Sequence, residues 1–218
     1  MLTLNDVTYR YKKSDRDAIK NVSCVFEASK LTAVIGASGS GKTTLLSILA
    51  GLDKPRSGDV FIEEDNLTTL DLDKYRRERV SMIFQAFHLF PLMTCIENVC
   101  YPMKMNGSPH YKALERAKKY LTDVGISAEK YNRYPANLSG GEQQRVAIAR
   151  ALSTGAKVLL ADEPTGNLDV ENGEIVIEVL KRLAHKEGYC IVVVTHNLDI
   201  AQTCDVVYKM SDGILKAV

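Results

Sequence analysis

The 218-residue sequence has almost no charge excess: 28 Lys and Arg stand against 27 Asp and Glu, a formal net charge of +1. Such a balance supplies no global field to attract nucleic acid or anionic lipid. The five cysteines (Cys24, Cys95, Cys100, Cys190, Cys204) form no C-x-x-C pair and are odd in number. That excludes a disulfide frame or zinc site and predicts buried thiols in a reducing compartment. No apolar run approaches the ~18–20 residues that cross a bilayer, and Met1 to Asp6 lack the basic-then-apolar order of a signal peptide. Internal repeats and low-complexity linkers are also missing. A soluble, cytoplasmic globular protein is expected, and 45% hydrophobic residues suffice for a substantial core.

The pattern along the chain predicts α/β structure. Leu2 to Tyr9 and Val22 to Phe26 read as strands, with a polar surface loop over Lys12 to Asp17 between them. Leu31 to Ile35 is a short apolar strand running into glycines, followed by a helix with Leu45, Leu46 and Leu49 on one face. Val60 to Ile62 and Val80 to Phe84 are further strands. From about Pro91 to Leu152 the pattern turns helical, with Ser108 as an N-cap, Pro109 at the first helical position and a second helix over Gly140 to Leu152. Val158 to Ala161, the helix Ile175 to Ala184, Cys190 to Thr195 and a terminal hairpin around Ser211-Asp212-Gly213 complete the chain. A mostly parallel sheet with an inserted helical subdomain follows.

Gly36 to Thr43 matches G-x-x-x-x-G-K-[ST] between a strand and a helix. Its glycines allow backbone N–H groups to turn towards phosphate oxygens, with the helix dipole behind them. Lys42 supplies charge for the β- and γ-phosphates, and Thr43 a hydroxyl for Mg²⁺. The spacing is not that of a dinucleotide fingerprint. Asp162 and Glu163 end an apolar strand; adjacent acids point different ways, so one can hold hydrated Mg²⁺ and the other polarise a water. Alone the pair would read as a solvated acidic turn, but beside a phosphate loop it reads as half of a hydrolytic site. His196 follows another strand at its carboxyl end, where it can sense a γ-phosphate.

Leu138-Ser139-Gly140-Gly141-Glu142-Gln143-Gln144-Arg145 resembles the signature of the ATP-binding cassette ATPases almost letter for letter. The resemblance covers nearly the whole chain. It implies a P-loop NTPase core with an N-terminal antiparallel β-subdomain and an inserted helical subdomain at about 91–153, in a single domain over 1–218. It implies ATP bound by Gly36, Ala37, Ser38, Gly39, Ser40, Gly41, Lys42, Thr43 and Thr44, with Gln85 as the Q-loop residue. Tyr11 is the aromatic for adenine, with Tyr9 its rival. Mg²⁺ would be held by Thr43, Gln85 and Asp162, with Glu163 and His196 catalytic. Asn167-Leu168-Asp169 resembles the D-loop. Ser139, Gly140 and Gly141 would reach the γ-phosphate of a second copy, in a head-to-tail dimer enclosing two ATP molecules.

The strings Glu163 to Asp169, Gly51 to Pro55 and Phe84-Gln85 resemble the branch of macrolide, lipoprotein-release and antimicrobial-peptide systems, and the absence of a domain after Val218 agrees with it. Gly36-Ala37-Ser38 is also seen in the bacitracin-resistance type. That branch implies a bacterial source, an integral membrane permease as partner, and residence at the cytoplasmic face of the membrane. The apolar loop after Gln85 would meet the permease near Phe87 and Phe90, against the alternative of plain core packing. The cell-division cassettes, which regulate a wall hydrolase through a permease-like partner, share nearly all these motifs and stand as the alternative. Nothing in the charge supports a nucleic-acid partner. One departure from the family is local: Ala28-Ser29-Lys30 replaces the usual glycine before the phosphate-loop strand, predicting a turn built differently.

Overall fold

A computed structural model describes residues 1–12 and 14–218. The loop expected over Lys12 to Asp17 includes Lys13, outside the described residues; nearby, the Ser14 N–H donates to the Tyr11 carbonyl at 3.0 Å.

Alternating apolar residues build the first sheet. Strands β1 (Leu2–Tyr9), β2 (Ile19–Phe26), β4 (Ser57–Ile62) and β5 (Asp65–Asn66) pair antiparallel in the order β2-β1-β4-β5. The second sheet uses β3 (Lys30–Ile35), β6 (Val80–Phe84), β7 (Val158–Asp162), β8 (Cys190–Thr195), β9 (Val206–Ser211) and β10 (Ile214–Ala217) in the order β10-β9-β3-β8-β7-β6. All its pairings are parallel except the terminal hairpin β9–β10.

The unbroken apolar runs of β7 and β8 arise because both faces are covered. Leu159, Ala161, Ile191 and Val193 face one core, shared with helices α3 (Cys95–Met105), α4 (His110–Asp123), α5 (Gly140–Ser153) and α6 (Val170–Glu187). Val158, Leu160, Val192 and Val194 face the other, shared with α1 (Lys42–Leu49), α2 (Leu72–Glu78) and the antiparallel sheet. A short α7 (Leu198–Gln202) follows β8. Of the cysteines, Cys24, Cys95, Cys100 and Cys190 are buried and Cys204 is half-buried. Burial pushes the Cys24 thiol up to about 12.

The sequence pattern misplaces several boundaries. The middle segment does not become helical at Pro91 but at Cys95, where Thr94 and Glu97 form a reciprocal capping box. Pro109 is the N-cap of α4 and not its first residue, because its backbone is extended (ψ 144°), which leaves Ser108 outside. Helix α6 begins five residues before Ile175, where the Asp169 carboxylate accepts the Asn172 N–H at 2.8 Å. Ser29 stands at φ 62°, in the left-handed region that favours glycine, so the turn before β3 is carried by a serine.

Parallel register brings the site together. Ile35 pairs with Thr195, Val194 with Asp162, and Asp162 with Phe84. The carboxyl ends of β3, β8, β7 and β6 are therefore level, and the residues that follow them share one edge.

Candidate active site

The phosphate loop is shaped by close approach. A Cβ on Gly36 would lie 2.2 Å from the Met210 carbonyl oxygen, so no larger residue fits. Gly41 caps α1 at φ 112° with no side-chain cap bond, so among the described residues no side chain satisfies the helix's first N–H groups from its cap. Ser40 Oγ is buried and, among the described residues, makes no hydrogen bond. Buried polar atoms are rarely left so, and an orphan hydroxyl beside helix N–H groups with no side-chain cap suits an anionic oxygen. Lys42 Nζ donates to the Gly36 and Ala37 carbonyls at 2.7 and 3.0 Å, poised on the same loop.

Around the loop lies a cleft of about 710 Å³, lined by Tyr11, Ser38, Lys42, Gln85, Glu163 and His196 among others. Thr43, Thr44 and Asp162 also line it. Tyr11 enters the cleft and pairs its hydroxyl with Thr44 Oγ1 at 2.8 Å. Its rival Tyr9 does not line it; the Tyr9 hydroxyl donates to Asp53 at 2.9 Å, and burial first, then Asp53, pushes its pKa up to about 12. Thr43 Oγ1 lies 3.3 Å from Asp162 Oδ2. Burial raises the Asp162 carboxyl above its ordinary range, outweighing the Thr43 contact that lowers it. A hydroxyl and a carboxylate this close form a hard oxygen set that fits Mg²⁺, a cation that completes its shell with phosphate and water. Gln85 can add a third oxygen, since its Nε2 donates to Asn167 at 3.2 Å and its backbone carbonyl accepts the Asn167 amide at 2.9 Å.

Glu163 takes the left-handed conformation, φ 49°, with its N–H bound to the Val194 carbonyl at 2.9 Å. Its Oε1 lies 2.9 Å from His196 Nδ1, and its Oε2 accepts the Thr195 hydroxyl at 3.2 Å. Such a backbone is costly for a non-glycine residue and persists where neighbours over-determine it, as Thr195 and His196 do here. His196 is 71% exposed, against 15% for the Glu163 side chain. The imidazole thus faces outward while the acid stays in the cleft.

The signature residues stand apart. Ser139, Gly140 and Gly141 do not line the cleft of their own chain. Ser139 caps α5 in a capping box: its Oγ accepts the Glu142 N–H at 3.3 Å and its own N–H donates to Glu142 Oε2 at 2.9 Å. The Ser139 N–H is therefore taken, and the open donors at this terminus are those of Gly140 and Gly141. Gly141 packs under Asn172, whose Oδ1 would be 2.3 Å from a Cβ.

Beside the cleft an apolar groove of about 590 Å³ is lined by Leu52, Phe90, Tyr101, Met105 and Arg150 among others. Of the two phenylalanines expected there, only Phe90 enters it; the Phe87 ring packs at Gly140 instead. Thr195 and Asn172 are site neighbours that sequence reasoning missed, while Asn167, read only as part of the D-loop string, is found bonded to Gln85. Thr195 directly precedes His196 at a strand end, the one signal that could have marked it.

A phosphate loop, a strand-end acid pair and an outlying helix N-terminus on two packed sheets define a P-loop nucleotide hydrolase. The family model described as "ABC transporter" matches residues 19–166, and the chain belongs to that family. It is an ATP-binding ATPase. It is 40% identical over 95% of its length to the macrolide export ATP-binding/permease protein MacB of a Shewanella species, spanning 32% of that protein. Thus it covers about a third of the length of such macrolide-export relatives. The lipoprotein-releasing system ATP-binding protein LolD of Blochmanniella floridana is 40% identical over 95% of this chain and 89% of its own. The ATP-binding cassette MJ0796 of Methanocaldococcus jannaschii, solved as a dimer bound to ADP and Pi, superposes with a TM-score of 0.89 at 37% identity. That match covers 99% of this chain and 97% of the other.

Proposed function

We propose that this chain is the ATP-hydrolysing subunit of a bacterial transporter that powers export or force transmission of the macrolide, lipoprotein-release or antimicrobial-peptide kind. The observation that carries the reading is the single edge on which Lys42, Asp162, Glu163 and His196 converge while the signature helix opens elsewhere. ATP lies in the cleft with its phosphates on Gly36 to Thr44 and its adenine on Tyr11. Lys42 turns from the loop carbonyls to the β- and γ-phosphates. Glu163 accepts the proton of a water whose oxygen attacks the γ-phosphorus, ADP leaves, and His196 steadies the γ-phosphate. Thr43, Asp162 and Gln85 would hold Mg²⁺, which when bound offsets charge on the β- and γ-phosphate oxygens.

Ser139, Gly140 and Gly141 of a second copy cap that phosphate, so two chains and two ATP molecules form a head-to-tail dimer. The dimeric MJ0796 cassette bound to ADP and Pi supports this arrangement. The residues act as a single domain with a helical subdomain at about 91–153. Phe90, 38% exposed beside Leu52 at 56% and Met105 at 65%, offers the groove to a short cytoplasmic helix of an integral membrane permease. The chain then sits at the cytoplasmic face of the membrane, held there by its partner.

The test is to tag the chain at native level, solubilise membranes gently and identify what co-purifies. A permease of few helices with a large outer domain is the expected companion. Recovery only in the soluble fraction, alone or with ribosomes, would keep the ATPase and end the transporter reading.

A further inference from the structure

Phe87 and His88 are consecutive non-glycine residues at positive φ, 60° and 49°. Bulky side chains seldom adopt this region, and such strain persists only where the surroundings over-determine it. Two backbone bonds, from the Phe87 N–H to the Phe84 carbonyl at 3.3 Å and from the His88 N–H to the Ala86 carbonyl at 2.6 Å, shape the turn, and one side chain holds its outer carbonyls. Arg150 Nη1 donates to the His88 carbonyl at 2.5 Å and Nη2 to the Phe87 carbonyl at 3.1 Å. The guanidinium carbon also lies 5.6 Å from the centre of the Phe90 ring. The arch is pinned at both ends. Gln85 and Asn167 exchange two bonds on the cleft side, and the buried Asn98 brackets the Phe90 N–H and carbonyl at 2.8 and 3.1 Å on the other. Arg150 sits on α5, about 16 Å along the helix from Ser139.

We propose that Arg150 is a positioning residue for ATP hydrolysis: by gripping the Phe87 and His88 carbonyls it holds the strained arch that sets Gln85 against Asn167 in the nucleotide cleft. A planar fork with several donors is needed, because two adjacent carbonyls must be held at once. The same guanidinium forms a wall of the apolar groove through Phe90, so pressure in the groove reaches Gln85 through one side chain. This inference rests on Gln85 serving the nucleotide site.

The test uses the full chain and steady-state hydrolysis of MgATP. Arg150→Lys keeps the charge and loses the fork; kcat is expected to fall about ten- to a hundred-fold, as small misplacements do, with KM for ATP changed less than about two-fold. Adding His88→Gly, which makes positive φ cheap, is expected to restore much of kcat. His88→Val attacks the arch with Arg150 intact and is expected to reproduce the loss, which keeps the test alive should the Arg150 variant fail to fold. Wild-type kcat in Arg150→Lys or His88→Val would overturn the proposal, as would a kcat loss that His88→Gly leaves unrepaired. Gln85→Ala separates the two readings. If it lowers kcat while Arg150→Lys does not, the latch alone fails; if it is fully active, the role of Gln85 falls and the latch with it.

Discussion

The nucleotide cleft and the signature terminus are both built on the open end of a helix, yet they are stabilised in opposite ways. Helix α1 starts at Gly41 with no side-chain cap, while α5 starts at Ser139 with both bonds of a capping box made. Next to α1, Ser40 Oγ has no partner among the described residues, and Glu163 is held at positive φ. Next to α5, Glu142 is bound by Lys130 and by the Ser139 N–H. The cleft holds unfavourable terms that a bound phosphate can relieve. The signature end makes its own cap bonds, and of the two glycines after Ser139, Gly140 is half-buried while Gly141 is buried under Asn172. A half-site of each kind on one chain makes sense if each is completed by the other kind on a second copy.

The strongest way to break this comparison is at Glu163. Glu163→Gln keeps size and the Thr195 contact but removes the proton acceptor, so turnover is expected to fall about a hundred- to ten-thousand-fold. ATP binding should persist, and the dimer should accumulate in ATP and Mg²⁺. Light scattering that shows only monomer would count against a closed intermediate made of two copies.

Gly140→Asp probes the other half. A Cβ there would meet nothing nearer than Leu168 at 3.4 Å, and an acid at the first position of α5 suits the helix dipole. Folding should therefore be kept. A carboxylate opposite the partner's triphosphate should cost several kcal/mol, a drop in turnover of roughly a hundred-fold or more. Affinity of the monomer for ATP should stay within about two-fold of wild type, since local contacts are untouched. Weakened monomer binding would show that the signature serves its own chain.

Much of this contrast is legible in the residues. The runs Val158 to Ala161 and Cys190 to Thr195 announce strands covered on both faces, and Gly36 to Thr43 carries its chemistry in its spacing. The antiparallel and parallel sheets, their order of elements and the inserted helices follow from pattern and resemblance together. What stays hidden is short or depends on long-range packing. Helix α2 buries only Tyr75 in seven residues and α7 only Ala201 in five, too little to set a period. The grip of Arg150 on residues 62 and 63 positions away leaves no trace in local sequence. Nor does the choice of Phe90 over Phe87 as the groove residue, because a left-handed backbone at Phe87 turns that ring to Gly140.

The smallest effects sharpen the comparison most directly, because they differ in sign. Burial raises Asp162 above the ordinary carboxyl range, so its ionisation costs stability once pH exceeds the unfolded value, ~3.9. At pH 7, above the unfolded value, that cost is present, and Asp162→Asn is expected to raise the melting temperature. For Glu142 the Lys130 ammonium, opposed by partial burial and helped by the Ser139 N–H, pulls the pKa below its ordinary value. Its stabilisation is present above the unfolded value, ~4.3, and is lost as pH falls through the lower folded one. Glu142→Gln should thus lower the melting temperature at pH 7 by about 2–4 °C, the equivalent of ~1 kcal/mol in a chain of this size. Calorimetry at pH 7 and again near pH 3 would check both, with each difference shrinking at the acid end. Two shifts of the same sign at pH 7 would mean that the cleft carries no electrostatic strain of its own for a ligand to relieve.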